Sequence, residues 1–322
     1  MSELRIPTFS DVFVANQTVR KYLKPTPLIY SRRLSRILDC QAYLKLENLQ
    51  PTTAFKVRGG IWYMSKLQDE AKKKGVITAS TGNHAQSIAY AGSIFGIDVK
   101  VVMPEGSPAL KIESTKELGA EVILKGRFFD EALQYTEKLA REYSYLLVHG
   151  INEPLLYEGV GSMHLEVIEE LPDVDVVINP IGGGSGTASA CIVYKALNPK
   201  IKVIGVQAEG APAMYESLKS GSIVTKNGIE TKAEGLATSR AYELPFKIFQ
   251  DRLDDIVLVG DDDLYEAVRI IFQTTKQVAE LAGAAAVAAA LRKIKDGVRG
   301  KKVVLMLTGG NISSESFSKI IG

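Results

Sequence analysis

Eight short runs rich in Val, Ile and Leu recur along the chain, at residues 43–46, 76–79, 99–103, 121–124, 174–178, 202–207, 255–259 and 302–307, with helix-like segments between them. Runs such as Asp175-Val176-Val177-Ile178 and Val303-Val304-Leu305-Met306 lack the period-two alternation of a strand with one wet face. Strands of that kind are buried on both sides, and parallel sheets covered by helices are the architecture that buries them. Segments 128–143, 154–171, 262–275 and 280–295 are each long enough to supply a covering helix. The expectation is therefore an α/β chain of open parallel or mixed sheets. Two blocks are distinguishable, one from about residue 56 to 145 and one from about 174 onward, and a cleft between them is the expected ligand site.

Composition narrows the partner. Of 322 residues, 46% are hydrophobic and 24% charged, which suits a globular protein rather than a disordered one. The 39 basic and 37 acidic residues are mixed along the chain and leave a net charge of +2, so no electrostatic footprint points to nucleic acid or an anionic membrane. Lys72-Lys73-Lys74 reads as the solvated end of a helix before Gly75. Cys40 and Cys191 form neither a disulfide framework nor a zinc motif, which fits a reducing compartment. The start, Met1-Ser2-Glu3-Leu4-Arg5, lacks the order of a signal peptide, and no apolar run spans a bilayer; a cytoplasmic protein is expected. The alanine-rich run 281–291 is too short to cross a membrane and reads as a buried helix.

Three turns follow expected strands. The strand at 174–178 runs into Gly182-Gly183-Gly184-Ser185-Gly186-Thr187, which then becomes helical. Glycines let backbone amides converge on an anion, and the helix N-terminus adds partial positive charge. A dinucleotide is the rival ligand, because Glu209 follows the next strand where a ribose-binding acid would sit, but Thr187 stands where that fingerprint wants its third glycine. After the strand at 76–79 comes Ser80-Thr81-Gly82-Asn83-His84, where Ser80 or Thr81 can cap the next helix and the hydroxyls, amide and helix N–H groups can cradle a carboxylate. Thr308-Gly309-Gly310-Asn311 closes the last strand. The carboxyl ends of parallel strands are where ligands bind.

Lys56 lies in Thr53-Ala54-Phe55-Lys56-Val57-Arg58-Gly59-Gly60, directly after an apolar aromatic and where a strand gives way to a helix. Lysines are usually solvated, and a desolvated one becomes a nucleophile for aldehydes.

In order and content these segments resemble the fold-type II pyridoxal-phosphate enzymes, which share the tryptophan synthase β-like fold, and within them the threonine/serine dehydratase and serine racemase group. The family's Ser/Ala-Phe-Lys-x-Arg-Gly, Ser-x-Gly-Asn-His, glycine loop and Ser/Thr-Gly-Gly-Asn motifs appear here in register as Ala54 to Gly59, Ser80 to His84, Gly182 to Gly186 and Thr308 to Asn311. The resemblance implies that Lys56 binds pyridoxal 5'-phosphate as a Schiff base and then acts as base on the substrate Cα, with Phe55 packed beside it. It implies that Gly182, Gly183, Gly184, Ser185 and Gly186 hold the phosphate, Asn83 the ring hydroxyl and Thr308 the pyridine nitrogen. Ser80, Thr81, Gly82 and His84 would receive the substrate carboxylate. A large cofactor-binding domain from residues 1–52 plus 150–322, and a small domain 53–149 carrying the carboxylate loop, are implied as well.

The implied reaction is dehydration and deamination of L-threonine or L-serine to a 2-oxo acid and ammonia. Alternatives on the same fold are an amino-acid racemase, with Thr81 as the acid/base on the second face, and a hydroxyaspartate dehydratase; the rival of another class is a dinucleotide-dependent oxidoreductase. A small amino-acid substrate and a homo-oligomer are implied, and 322 residues leave no room for the C-terminal regulatory domain of longer relatives, so feedback by isoleucine is not expected. Departures from the family pattern are Thr53 where glycine is usual and Gly159-Val160-Gly161-Ser162 where a Gly-Gln-Gly-Thr is common. The family's divalent-cation acids are matched by Gln207 and Ala213, with Glu209 out of register, so no metal site is expected; Glu280 matches an acid that helps such a site, but Leu281 breaks the pattern after it. His149 and His164 read as structural.

Overall fold

A computed structural model describes residues 4–292 and 294–322. Met1, Ser2 and Glu3, which begin the amino terminus read above, and Lys293, within the helix expected at 280–295, lie outside the described residues.

The strands are β1 (Leu28–Tyr30), β2 (Gln41–Leu46), β3 (Val76–Ala79), β4 (Val99–Met103), β5 (Glu121–Leu124), β6 (Leu146–Leu147), β7 (Val176–Pro180), β8 (Lys202–Ala208), β9 (Asp255–Val259) and β10 (Lys302–Leu307). They form a six-stranded sheet in the order β1-β2-β10-β7-β8-β9 and a four-stranded sheet in the order β5-β4-β3-β6. Every described pairing is parallel except β1 on β2, so the larger sheet is mixed and the smaller one parallel. The α/β expectation therefore holds. β1 and β6 were not anticipated, because strands of three and two residues at sheet edges carry no readable periodicity.

Helices cover the sheets as two-sided burial requires. The alanine-rich helix Leu281–Arg292 is buried at all ten positions from Leu281 to Ala290, as small side chains allow it to lie close on the sheet. One apolar core runs continuously through both sheets, taking in Val57, Ile61 and Val101 as well as Val177 and Val304. The segment expected as one helix at 154–171 is two, Pro154–Val160 and Ser162–Glu170, joined at Gly161. A Cβ at Gly161 would press within 2.5 Å of Val12, so the helix Phe9–Tyr22 packs against the joint.

The helix Val57–Lys66, which continues directly from Lys56, packs almost backbone to backbone against two others. A Cβ on Gly59 would lie 2.8 Å from the Leu156 carbonyl, and one on Gly60 2.5 Å from Ser87 Oγ. Only glycine fits there, and Lys56 is thereby held at a rigid helix start. The Ser87 hydroxyl also donates to the Lys56 carbonyl at 2.6 Å.

Candidate active site

The strand topology gathers the turns singled out above. β2, β10 and β7 are parallel neighbours, so the Lys56 segment after β2, Thr308-Gly309-Gly310-Asn311 after β10 and the glycine loop after β7 emerge at one end of one sheet. Ala54 bridges to Gly309, and the Phe55 N–H donates to the Thr308 carbonyl at 3.1 Å. A Cβ on Gly186 would lie 3.5 Å from the Phe55 ring, so the aromatic links the lysine to the glycine loop. Lys56 Nζ stands 5.6 Å from the same ring centroid. The turn Ser80-Thr81-Gly82 comes to this cleft from the smaller sheet, its Asn83 bonded to Glu280 and Asn311 of the larger one.

Lys56 remains partly accessible from the cleft, but the protein around it disfavours the ammonium. Burial lowers its pKa to about 8, against the opposing pull of Glu280. Glu280 is displaced in the other sense: burial raises its pKa to about 7 in spite of the hydrogen bond it accepts from Asn83 Nδ2 at 2.8 Å. The sequence matched Glu280 to an acid of the family's cation site in a broken pattern, with no metal expected; the structure places it in the lysine cleft. Its sequence signal was an acid at the head of a wholly apolar helix, between Ala279 and Leu281. Gln207, the other residue read against a metal pattern, uses its Oε1 to accept the Tyr215 N–H at 3.0 Å. Among the described residues no cluster of His, Cys, Asp and Glu has the arrangement of a metal site.

The glycine loop is built for close packing on one side and free amides on the other. Cβ atoms on Gly183 and Gly184 would run into Ile151 at 2.6 Å and Pro245 at 2.7 Å, and one on Gly182 would overlap the Gly235 carbonyl. Gly184 has φ 96°, a left-handed conformation that glycine adopts without strain. Among the described residues the first backbone donation after the loop is Ala188 N–H to Gly184 C=O, which leaves the preceding loop amides without a backbone acceptor at the start of the helix Ser185–Leu197. That is an anion site by construction. Thr187, the residue that breaks the dinucleotide fingerprint, donates its hydroxyl to the Pro180 carbonyl at 3.0 Å and pins the turn. His164, fully buried and neutral with a pKa pushed by burial to about 3, meets the Gly186 carbonyl through Nε2 at 3.0 Å. It supports the loop from beneath.

The second turn departs from the capping expectation. The helix Asn83–Phe95 begins after Gly82 with no side-chain cap, and Ser80 Oγ accepts only from Gly82 N–H at 3.3 Å. Its first amides are thus not consumed by Ser80 or Thr81. Ser80, Thr81, Gly82 and Asn83 are all half-buried in the cleft wall. His84 instead turns inward, with Nε2 3.1 Å from the Thr78 hydroxyl, and burial with Lys56 and His149 pushes its pKa to about 3. It is a neutral imidazole under the turn. His149, expected as structural, accepts from Ile151 N–H at 3.1 Å and Asn152 N–H at 2.9 Å.

A second ionic group, missed by sequence reasoning, lies two residues beyond the lysine. Arg58 is wholly buried between Glu47 and Glu166, with four contacts of 2.7 to 2.8 Å, and Lys45 Nζ pairs with Glu166 at 2.7 Å. Thr26 donates to Glu47 at 2.5 Å and Ser162 accepts from Arg58 at 3.0 Å. Ser162 keeps the hydroxyl that the common threonine would offer, and that hydroxyl completes this network; nothing in the structure explains Val160 in place of the common glutamine. A recess of about 590 Å³ lined by Tyr30, Arg32, Ser35, Arg36, Asp39 and Cys40 opens at the amino ends of β2 and β10, the pole away from Lys56, and gathers none of these groups.

Loop amides without backbone acceptors, an aromatic-flanked lysine with a lowered pKa, and the Asn83 and Thr308 turns lie at one end of the larger sheet, an arrangement able to take an anion and an aldehyde together. A family model of the pyridoxal-phosphate dependent enzymes matches residues 19–309. An L-threonine ammonia-lyase of Thermotoga maritima is 40% identical over 98% of this chain and 78% of its own length. The L-threo-3-hydroxyaspartate ammonia-lyase of Saccharomyces cerevisiae is 35% identical over 98% of this chain and 97% of its own. Among solved structures, maize serine racemase superposes with a TM-score of 0.93 at 28% identity, covering 98% of this chain and 97% of that one. The chain belongs to the pyridoxal-phosphate dependent enzyme family.

Proposed function

We propose that this protein is an ammonia-lyase that dehydrates and deaminates L-threonine, L-serine or both to a 2-oxo acid and ammonia. The observation that carries this reading is the Lys56 amine, held near neutrality at the same sheet end as the free amides of the glycine loop. Gly182, Gly183, Gly184, Ser185 and Gly186 would hold the phosphate of pyridoxal 5'-phosphate, Phe55 would pack against its ring, and Asn83 and Thr308 would meet the ring's polar atoms. Once bound, that group supplies an aldehyde for an amine to capture and a ring that withdraws electrons from the bonds at Cα.

At a pKa of about 8, Lys56 is unprotonated in an appreciable fraction of molecules at neutral pH and can serve first as nucleophile and then as base on the substrate Cα–H. Ser80, Thr81 and the uncapped first amides of the helix Asn83–Phe95 would orient the substrate carboxylate. His84 would act from below by fixing the turn. The chain offers Thr308 rather than a carboxylate at the end of β10, and a hydroxyl does not enforce a charged pyridine, which favours loss of a β-hydroxyl over transamination. The reading divides the chain into a small domain, 53–149, which includes β3 to β6, inserted in a larger one made of 1–52 plus 150–322. A homo-oligomer is part of the proposal.

The purified protein loaded with pyridoxal 5'-phosphate should be yellow, and borohydride should fix the label to the peptide bearing Lys56. L-threonine should then release 2-oxobutanoate and ammonia, with L-serine and L-threo-3-hydroxyaspartate ranked in the same assay. A labelled protein that releases no 2-oxo acid from any of the three would overturn the lyase reading, and no label at Lys56 would overturn the cofactor reading.

A further inference from the structure

We propose that Asn311 and Glu280 are positioning residues that lock the Asn83 amide so that it can offer a ligand in the cleft an N–H and not its carbonyl. The inference rests on the reading of the cleft as a pyridoxal-phosphate site and assigns work to two residues outside the expected contact set.

Asparagine oxygen and nitrogen are told apart by their partners, and here the partners fix the direction of the whole chain of bonds. Asn311 Nδ2 lies 3.0 Å from the Thr52 carbonyl, a backbone acceptor that cannot be reversed. The nitrogen of Asn311 must therefore stand on that side, and its Oδ1 accepts from the Thr53 hydroxyl. The same nitrogen is 2.6 Å from Asn83, so the Asn83 atom facing it is Oδ1. Asn83 Nδ2 then faces Glu280 Oε1 at 2.8 Å, donor to acceptor. Reversing Asn83 would oppose two NH2 groups on one side and two oxygens on the other.

The relay leaves Asn83 with its oxygen engaged and one of its two N–H groups committed. Among the described residues Nδ2 has no acceptor besides Glu280, and the side chain is half-buried in the cleft wall. An N–H held this way selects a ligand oxygen that accepts, which for a pyridine aldehyde is its ring hydroxyl in the deprotonated form. The geometry also accounts for Thr53. Its φ of 50° is a strained conformation for a β-branched residue, and its hydroxyl holds the far end of Asn311.

The test uses the full-length protein stripped of cofactor and titrated with pyridoxal 5'-phosphate or with its analogue lacking the ring 3-hydroxyl. Asn311→Asp keeps the shape but cannot donate to any of the three acceptors of the native amide, the Thr52 carbonyl, Asn83 Oδ1 and Gln86 Oε1. It should weaken pyridoxal 5'-phosphate about tenfold, the worth of one misdirected hydrogen bond, and leave the affinity for the deoxy analogue within about twofold of the native chain. Glu280→Met removes the other anchor and also the charge that acts on Lys56, so it is read as the ratio of the two affinities, which should shift against pyridoxal 5'-phosphate in the same sense, and it serves if the first variant does not fold. Equal losses for both ligands in a folded variant would overturn the proposal, since a structural defect does not distinguish them. If the native chain captures neither aldehyde, the cofactor reading itself has failed.

Discussion

Lys56 and Arg58 are two positions apart in the chain and live in opposite electrostatic regimes. Arg58 is fully buried and fully matched: two carboxylates and a hydroxyl take its donors, and although burial opposes ionisation, Arg58 and Lys45 hold Glu47 below the usual carboxylate range. Lys56 and Glu280 are also enclosed but form no ion pair, and burial moves each toward its neutral form. Neighbouring positions of one helix start thus separate charge that holds the fold from charge kept available for chemistry. The charges also differ in matching: the Arg58 donors meet two carboxylates, whereas Lys56 and Glu280, half-buried at the cleft, form no ion pair with each other.

The largest effect that probes this contrast is on turnover. Lys56→Ala should lower the rate of 2-oxo acid release by roughly 10³-fold or more, with the melting temperature unchanged or raised, because a poorly solvated amine has been removed. A variant that is inactive only because it is unfolded would break the comparison. Arg58→Met should do the reverse. It leaves Glu47 and Glu166 buried without their partner, at a cost of about 3–5 kcal/mol in chemical denaturation. Replacing Arg58, Glu47 and Glu166 together by apolar residues should recover much of that loss, as expected if the single variant's penalty is uncompensated charge.

The smallest effect is a matter of pH. Glu280 has a folded pKa of about 7 above its ordinary 4.5, so the stability it contributes is complete below 4.5 and is lost as pH rises through about 7. Lys56, depressed to about 8 from 10.5, contributes stability present above 10.5 and lost as pH falls through about 8. Glu280→Gln cannot ionise. It should match the native chain at pH 4, below the ordinary carboxyl value, and melt about 2 °C or more higher at pH 8. A pH-independent difference would mean that Glu280 and Lys56 are paired after all, as Arg58 and Glu47 are.

The fold was legible wherever a strand was long and buried on both faces. β4 and β10 fall where the apolar runs predict, because parallel strands between helix layers write themselves as runs of Val, Ile, Leu and Met; the four-residue β3 and the half-exposed edge strands β5 and β9 fall on their predicted runs as well. β1 and β6 are too short to do so. At the site, Phe55, Lys56, Asn83, Thr308 and the glycine loop carry local signatures, and the topology brings those segments together. Glu47, Glu166, Glu280 and the directional role of Asn311 were hidden because each depends on a partner far away in sequence, up to 259 residues for Asn311 and Thr52. A hydrogen-bond direction has no periodicity to read.

The position of β10 has a consequence for how such a molecule comes into being. It lies between β2 and β7, with Lys302 opposite Gln41, so the middle of the sheet is drawn from a stretch synthesised long after its flanks. Until it arrives, β2 and β7 have unpaired edges facing one another across a gap, the kind of surface that recruits other chains. The strand that protects the nascent protein also delivers Thr308 and Asn311. Completion of the sheet and completion of the site therefore depend on the same strand, and a product of synthesis that stops before β10 lacks both.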